Sequence, residues 1–162
     1  MAATELIGVV IGGLLGLAGS VIPQFWDKRR ARQSAKAICR AYVAGILRMD
    51  EIRHHGELYK KNLADLRSGA TQSMMVIYGA EDTNDEMQSA LIGHVGLLSP
   101  DVARDMVIFC NMLDGLRVDL KAMSSGAMDD IPVSDKIRIL ENDLRMWDET
   151  KSLGRELVNR LS

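Results

Sequence analysis

Between Leu6 and Ile22 the chain has no charged side chain, and Ser20 carries the only hydroxyl in those seventeen residues. The five residues before the run, Met1 to Glu5, contain no Lys or Arg. A cleaved secretory signal begins with a positive segment, so that reading is disfavoured. Leu17-Ala18-Gly19-Ser20 resembles a lipoprotein processing site, but Ser20 stands where the lipidated Cys would have to be. Proline is scarce: after Pro23 there are only Pro100 and Pro132, which leaves long stretches free to be helical. The two cysteines, Cys39 and Cys110, are too few for a disulfide framework and read as free thiols on apolar helix faces. Aromatics make up only 4% of the chain against ten Met, so the core must be aliphatic and soft. Also missing are a Gly-rich phosphate loop, a nucleophile elbow and a paired-carboxylate signature. No catalytic residue and no cofactor are therefore expected, and the chain is not expected to be an enzyme.

What is present begins with the uncharged run itself. Extended to Trp26 it covers roughly 31 Å as a helix, close to one hydrocarbon thickness. Lipid cannot hydrogen-bond a backbone, whereas a helix satisfies its own. Residues 6–26 are accordingly expected to form a transmembrane helix, with Phe25 and Trp26 at the interface and Pro23 near its end. Residues 27–40 form a basic juxtamembrane helix holding Lys28, Arg29, Arg30, Arg32, Lys36 and Arg40 against Asp27, a local charge of +5. Glu5 gives the preceding tail −1, and residues 41–162 carry −6. Positive charge marks the cytoplasmic side, so residues 1–5 are expected outside and the domain of residues 41–162 in the cytoplasm. Trp26, Lys28, Arg29, Arg30, Arg32 and Lys36 are the expected contacts to lipid headgroups, each cation contributing about 1 kcal/mol near an anionic surface. The acidic distal part would repel phosphates, so nucleic acid is not an expected partner.

Gly8, Gly12, Gly16 and Ser20 recur every four residues and share one helical stripe. Small residues at this spacing let helix backbones approach closely in lipid. They are the expected oligomerisation residues, a glycine zipper pairing copies of the chain.

The remainder reads as all-α, an antiparallel helical bundle continuing from the span. Helices are predicted over 27–67, 85–97, 100–124 and 134–161. Gly69 ends the first, and Ser99 caps the third with Pro100 at its first position. Gly126 follows the end of the third, and Ser134 caps the fourth. The segment 71–84 has no clear assignment, and its acidic end Glu81 to Glu86 lacks the Gly and closing Glu of a calcium loop. Coiled-coil-like seams run Ala31, Ala35, Ile38, Tyr42, Gly45, Met49, Ile52 in the first helix and Val102, Met106, Phe109, Leu113, Leu116, Leu120, Met123 in the third. The last helix follows Ile137, Leu140, Leu144, Trp147, with Lys151 and Gly154 breaking the seam, so its end is expected to splay or meet a partner. Cys39, Val43, Ile46 and Leu47 widen the first helix's apolar surface, so it wants neighbours on two sides. It is expected to leave the membrane as a stalk and join the bundle distally.

Glu51 and His54 match half of a di-iron carboxylate motif, but the chain's other histidines, His55 and His94, do not complete it. No metal site is expected. Both His54 and His55 are expected on the solvated side of one long helix, in i, i+4 pairs with Asp50 and Glu51. His94 is expected as a bundle-edge histidine.

Two segments together carry a resemblance: the Gly-rich span running into Trp26-Asp27-Lys28-Arg29-Arg30, and His94-Val95-Gly96-Leu97-Leu98-Ser99-Pro100-Asp101-Val102-Ala103. The combination resembles uncharacterised bacterial and prophage-encoded proteins with one N-terminal span and a helical cytoplasmic domain. The resemblance implies a bacterial inner-membrane setting and supplies no activity. The expected function is that of a non-enzymatic single-pass membrane protein that self-associates and offers a helical domain to a cytoplasmic protein partner. The alternative is a membrane-perturbing effector, a phage-defence or lysis component, that oligomerises through the span.

Overall fold

The computed structural model describes residues 24–74 and 89–162 in full, and residues 2–23 and 85–88 as helical backbone only. Five helices follow one another: α1 (Ala2–Arg53), α2 (His55–Ser68), α3 (Asp85–Val95), α4 (Pro100–Ser124) and α5 (Val133–Arg160). The described residues contain no strand, so the fold is all-α and a helical bundle. Among the described residues no helix is long and apolar enough to cross a membrane. The uncharged run Leu6 to Ile22 and the stripe Gly8, Gly12, Gly16 and Ser20 lie outside the fully described residues. The acidic segment Glu81 to Glu86 likewise lies outside them.

α5 is the spine of the bundle, packing against α1, α2 and α4, while α3 rests on α1 and α4. The buried residues fall into two layers. In the proximal layer Ala35, Cys39, Tyr42 and Val43 of α1 meet Val102, Met106 and Phe109 of α4 and Leu157 and Leu161 of α5, with Leu91 of α3 and Leu98 at the side. In the distal layer Tyr59, Leu63 and Leu66 of α2 meet Met123 of α4, Leu140 of α5 and Met74. α4 thus runs from the proximal to the distal layer, and α5 returns antiparallel to it. Removing Phe109, Met106 or Leu157 from water contributes about 1.5–3 kcal/mol each, since all three are 0% exposed.

The punctuation matches the sequence reading with small shifts. Ser99 precedes α4 with extended backbone and Pro100 fills the first turn. Gly69 ends α2 in the left-handed region, φ 73°, where a side chain would be strained, and its N–H bonds the Leu66 carbonyl. α5 begins at Val133 rather than after Ser134, because Pro132 occupies the cap position and its carbonyl accepts from Asp135 and Lys136 N–H.

Three expectations are corrected. The single helix over 27–67 is broken at His54, whose φ of 52° and ψ of 39° are left-handed. Its carbonyl turns to accept the N–H groups of Glu57 and Leu58 and so starts α2. α1 does not join the bundle distally, because Ala35 and Cys39 are already fully buried. Its buried face is Ala35, Cys39, Tyr42, Val43, with Ile46 and Leu47 beside it, and the expected seam residues Ile38, Met49 and Ile52 are exposed. Of the two apolar faces, the one that meets Phe109 and Leu157 is covered. Finally, the end of α5 does not splay at Gly154. A Cβ there would lie 2.9 Å from Phe109 Cε2 and 3.2 Å from Leu47 Cδ2, so the missing side chain is what lets α5 cross α1 and α4 closely.

Candidate functional site

The residues expected to touch lipid headgroups sit on the exposed part of α1. Every side chain from Gln24 to Ser34 is exposed, including Trp26, Lys28, Arg29, Arg30 and Arg32, and Lys36 is half-buried where the bundle begins. Phe25 and Trp26 are 66% and 65% exposed, an unusual state for two large apolar rings. Aromatic and cationic groups therefore line one rod that is exposed as far as Ser34, with Ala35 its first buried side chain among the described residues. The oligomerisation residues Gly8, Gly12, Gly16 and Ser20 fall outside the fully described residues.

At the α1–α2 break a second set of polar residues converges on α5. Trp147 Nε1 donates to Asp50 Oδ1 at 3.2 Å, and Lys151 Nζ lies 3.9 Å from Asp50 Oδ2 and 2.9 Å from Asp148. The His55 ring meets Trp147 edge-on at 6.1 Å. Gly56 sits over the same indole, leaving room for a Cβ at 3.6 Å from Trp147 Cδ1. Burial pushes the His55 imidazole below its ordinary value, with Asp50 opposing the shift and Arg53 adding to it. The neutral ring is thereby favoured against the indole. Ile46, Met49, Leu113, Asp114 and Arg117 complete a cleft of about 150 Å³. Small-molecule sites measure roughly 300–1,000 Å³, so this cleft is a joint rather than a substrate pocket.

The expected disposition of the histidines is corrected here. His54 is exposed and lies in the break, while Glu51 pairs with Arg48 at 2.6 Å. Asp50 faces Trp147 instead of His54. The half di-iron pattern is not assembled, and among the described residues no group of three His, Cys, Asp or Glu could hold a metal ion. His94 is half-buried near the end of α3. Neither Cys39 nor Cys110 forms a disulfide, and burial raises the Cys39 thiol above its ordinary value, which disfavours the reactive thiolate.

The distal layer holds the most unusual chemistry. Asp143 on α5 is 2% exposed, and Asp119 on α4 is the charged group that acts on its carboxyl. Burial first, then the Asp119 charge and hydrogen bond, push its carboxyl up to about 7. Tyr59 on α2 is 4% exposed, and burial together with Asp143 and Asp119 raises its phenol above the ordinary value. Neither the Tyr59 hydroxyl nor Asp143 Oδ2 has a hydrogen-bond partner. Nearby, the buried Lys136 ammonium donates to the Gln72 and Asp129 carbonyls at 2.9 and 2.8 Å. It ties the two loop segments to α5. The proximal end has the opposite arrangement. Asp105 accepts from Arg160 and Arg104, which hold its carboxyl below the usual range.

Asp119 and Asp143 were not among the residues the sequence singled out. The available signal is positional: the true α5 seam runs Lys136, Leu140, Asp143, Trp147, Thr150, Gly154, Leu157, Leu161, which places a carboxylate on the buried line. The choice between that register and the neighbouring one rests on packing against α2 and α4. No family model, curated protein or solved structure matches this chain.

Proposed function

We propose that the chain is a non-enzymatic, single-pass membrane protein of the bacterial inner membrane, which self-associates through its glycine-rich run and presents the helical bundle to a cytoplasmic protein. One observation carries this reading. α1 is a single helix from Ala2 to Arg53, and its exposed stretch before the bundle bears Phe25, Trp26 and the cationic collar together. Such rings and cations lie outside a packed bundle without penalty when a headgroup layer surrounds them. Ile92, Val107 and Val118, at 73%, 50% and 64% exposed, offer apolar surface on α3 and α4 for a protein partner.

The full chain should resist alkaline extraction from membranes and should run as an oligomer in lipid nanodiscs. A Gly12→Leu, Gly16→Leu double variant should remain in the membrane and lose the oligomer. A full chain released by alkaline carbonate would overturn the membrane reading, and an unchanged oligomer in the double variant would move self-association to the bundle. Dye leakage from vesicles that disappears in the same variant would support the membrane-perturbing alternative. A wide aqueous pore fits poorly, since Ser20 is the only polar side chain the run could offer to water.

A further inference from the structure

The bundle covers one apolar face of α1 and leaves the other open. The open face holds Ser34, Ile38, Ala41, Gly45, Met49 and Ile52, all exposed, with Ile38, Met49 and Ile52 at 39%, 44% and 64%. They follow one another in steps of three or four residues, the repeat of a helix seam. Arg48, the cation beside this face, turns to Glu51 at 2.6 Å. Glycine is, after proline, the least favourable residue inside a helix. At Gly154 the bare backbone is used, because α5 crosses α1 and α4 there. Gly45 stands within α1, and a Cβ there would meet nothing within 4 Å among the described residues. Inside one chain an alanine would serve better, whereas a bare backbone serves the close approach of another helix.

We propose that this open face of α1 pairs, in parallel, with the same face of a second copy, and so continues the glycine stripe beyond the bilayer as a helix seam. The parallel sense rests on the single-pass reading above, since two copies in one membrane point the same way. α1 is one helix from Ala2 to Arg53, so its register carries from end to end. Ile38 stands eighteen residues after Ser20, about five turns, and Ile52 stands about ten turns after Gly16. The glycine stripe and the open face therefore lie on one side of the helix. The fully buried Cys39 lies about a third of a turn around the axis from Gly45, so neither copy has to unpack its bundle.

Charge along this line favours a second copy. Two collars of +5 side by side would repel each other. Asp27, the acidic residue of the collar, lies about five turns before Gly45 on the same line, and it is exposed. Across a two-fold axis the Asp27 of each copy faces the collar of the other, with Arg30 one turn on to pair with it. Anionic headgroups neutralise the remaining cations. From Asp27 to Ile52 the seam runs roughly 37 Å and stops where His54 breaks the helix.

Disulfide trapping of the full chain in nanodiscs of anionic lipid tests the seam. Ile38→Cys, Gly45→Cys and Ile52→Cys are oxidised mildly beside Arg40→Cys and Glu51→Cys, which are exposed but off the seam. The wild type is the blank for Cys39 and Cys110. Trapped dimer at the three seam positions should exceed that at Arg40→Cys and Glu51→Cys by about fivefold or more, since only facing backbones come within disulfide reach. Adding Ala41→Glu and Gly45→Glu to Ile38→Cys should lower its yield to the Arg40→Cys level. Helix content should stay that of the wild type, because both sites are open in the single chain. An oligomer by mass whose seam positions trap no better than Arg40→Cys would overturn the α1 seam and leave the glycine-stripe reading standing. So would Ile38→Cys trapping that survives the two Glu substitutions. A wild type that is monomeric by mass would overturn both.

Discussion

The proximal and distal layers of the bundle are made by the same helices and solve the packing problem differently. The proximal layer is closed by apolar contact: Phe109, Met106, Val43, Cys39 and Leu157 are all 0% exposed, and Gly154 lets the three helices approach. Its one buried carboxylate, Asp105, is placed at the edge where Arg160 and Arg104 reach it. The distal layer buries Tyr59, Asn62, Lys136 and Asp143 among its aliphatic residues. Apolar closure is insensitive to pH, whereas a layer that buries a carboxyl with a raised value depends on it. The difference teaches that one bundle can combine an apolar base with a layer whose stability depends on pH, and the base here is the end that continues into the exposed collar.

The comparison can be broken most severely at Phe109. Phe109→Ala should cost about 3–5 kcal/mol, read as a lower midpoint in denaturant unfolding, because the ring fills the crossing of three helices. A loss below about 1 kcal/mol would mean that the proximal layer is not the base. Gly154→Ala should cost about 1–3 kcal/mol, since the new Cβ meets an aromatic ring and not the tip of a flexible chain. The distal counterpart has the opposite sign. Asp143→Leu should raise stability at pH 8 by about 1 kcal/mol and flatten the pH dependence, because it removes a buried acid of which one oxygen has no partner. Calorimetry at pH 5 and pH 8 reads both effects, and a destabilised variant at pH 8 would contradict the account.

Acid sharpens the contrast without any change to the core. Asp105 is held below its ordinary 3.8, so its contribution is present above that value and is lost as pH falls through its folded value. Asp143 behaves inversely, losing its contribution between 3.8 and about 7 as pH rises. Asp105→Asn should therefore blunt the acid limb of a melting-temperature profile and leave the neutral limb in place. The smallest effect is expected at the joint. His54→Gly should stabilise the chain by up to about 1 kcal/mol by relieving the left-handed backbone, and protection of α2 should rise or stay level. A loss of several kcal/mol would show that the His54 side chain itself holds the break.

Much of the bundle was legible because local chemistry dictates it. Pro100 fits the first turn of a helix, Gly69 accepts the left-handed end of α2, and the line Val102, Met106, Phe109, Leu116, Met123 is apolar at one helical spacing. The first helix was harder, since it carries two apolar faces about a quarter-turn apart. Ile38, Met49 and Ile52 are as hydrophobic as Tyr42, Val43 and Ile46, and sequence periodicity gives them equal weight. The break at His54 was hidden for a related reason: histidine enters the left-handed region more often than most side chains but far less readily than Gly, and neither Gly nor Pro stands at that position. What turns the chain there is the meeting of Asp50, His55 and Gly56 with Trp147, which lies 97 residues from Asp50.

The sequence by itself determined that this chain is helical, where most of its helices begin and end, and that an uncharged run leads into a basic collar. Those properties follow from backbone geometry, capping chemistry and the order of charges along one strand of chain, and need no partner. Tertiary structure decided which face of α1 is buried, that Gly154 closes a crossing instead of opening one, and that Asp143 is buried among aliphatic side chains. Each of these depends on side chains far apart in sequence competing for the same few ångströms, and on the low dielectric that forms only when they meet.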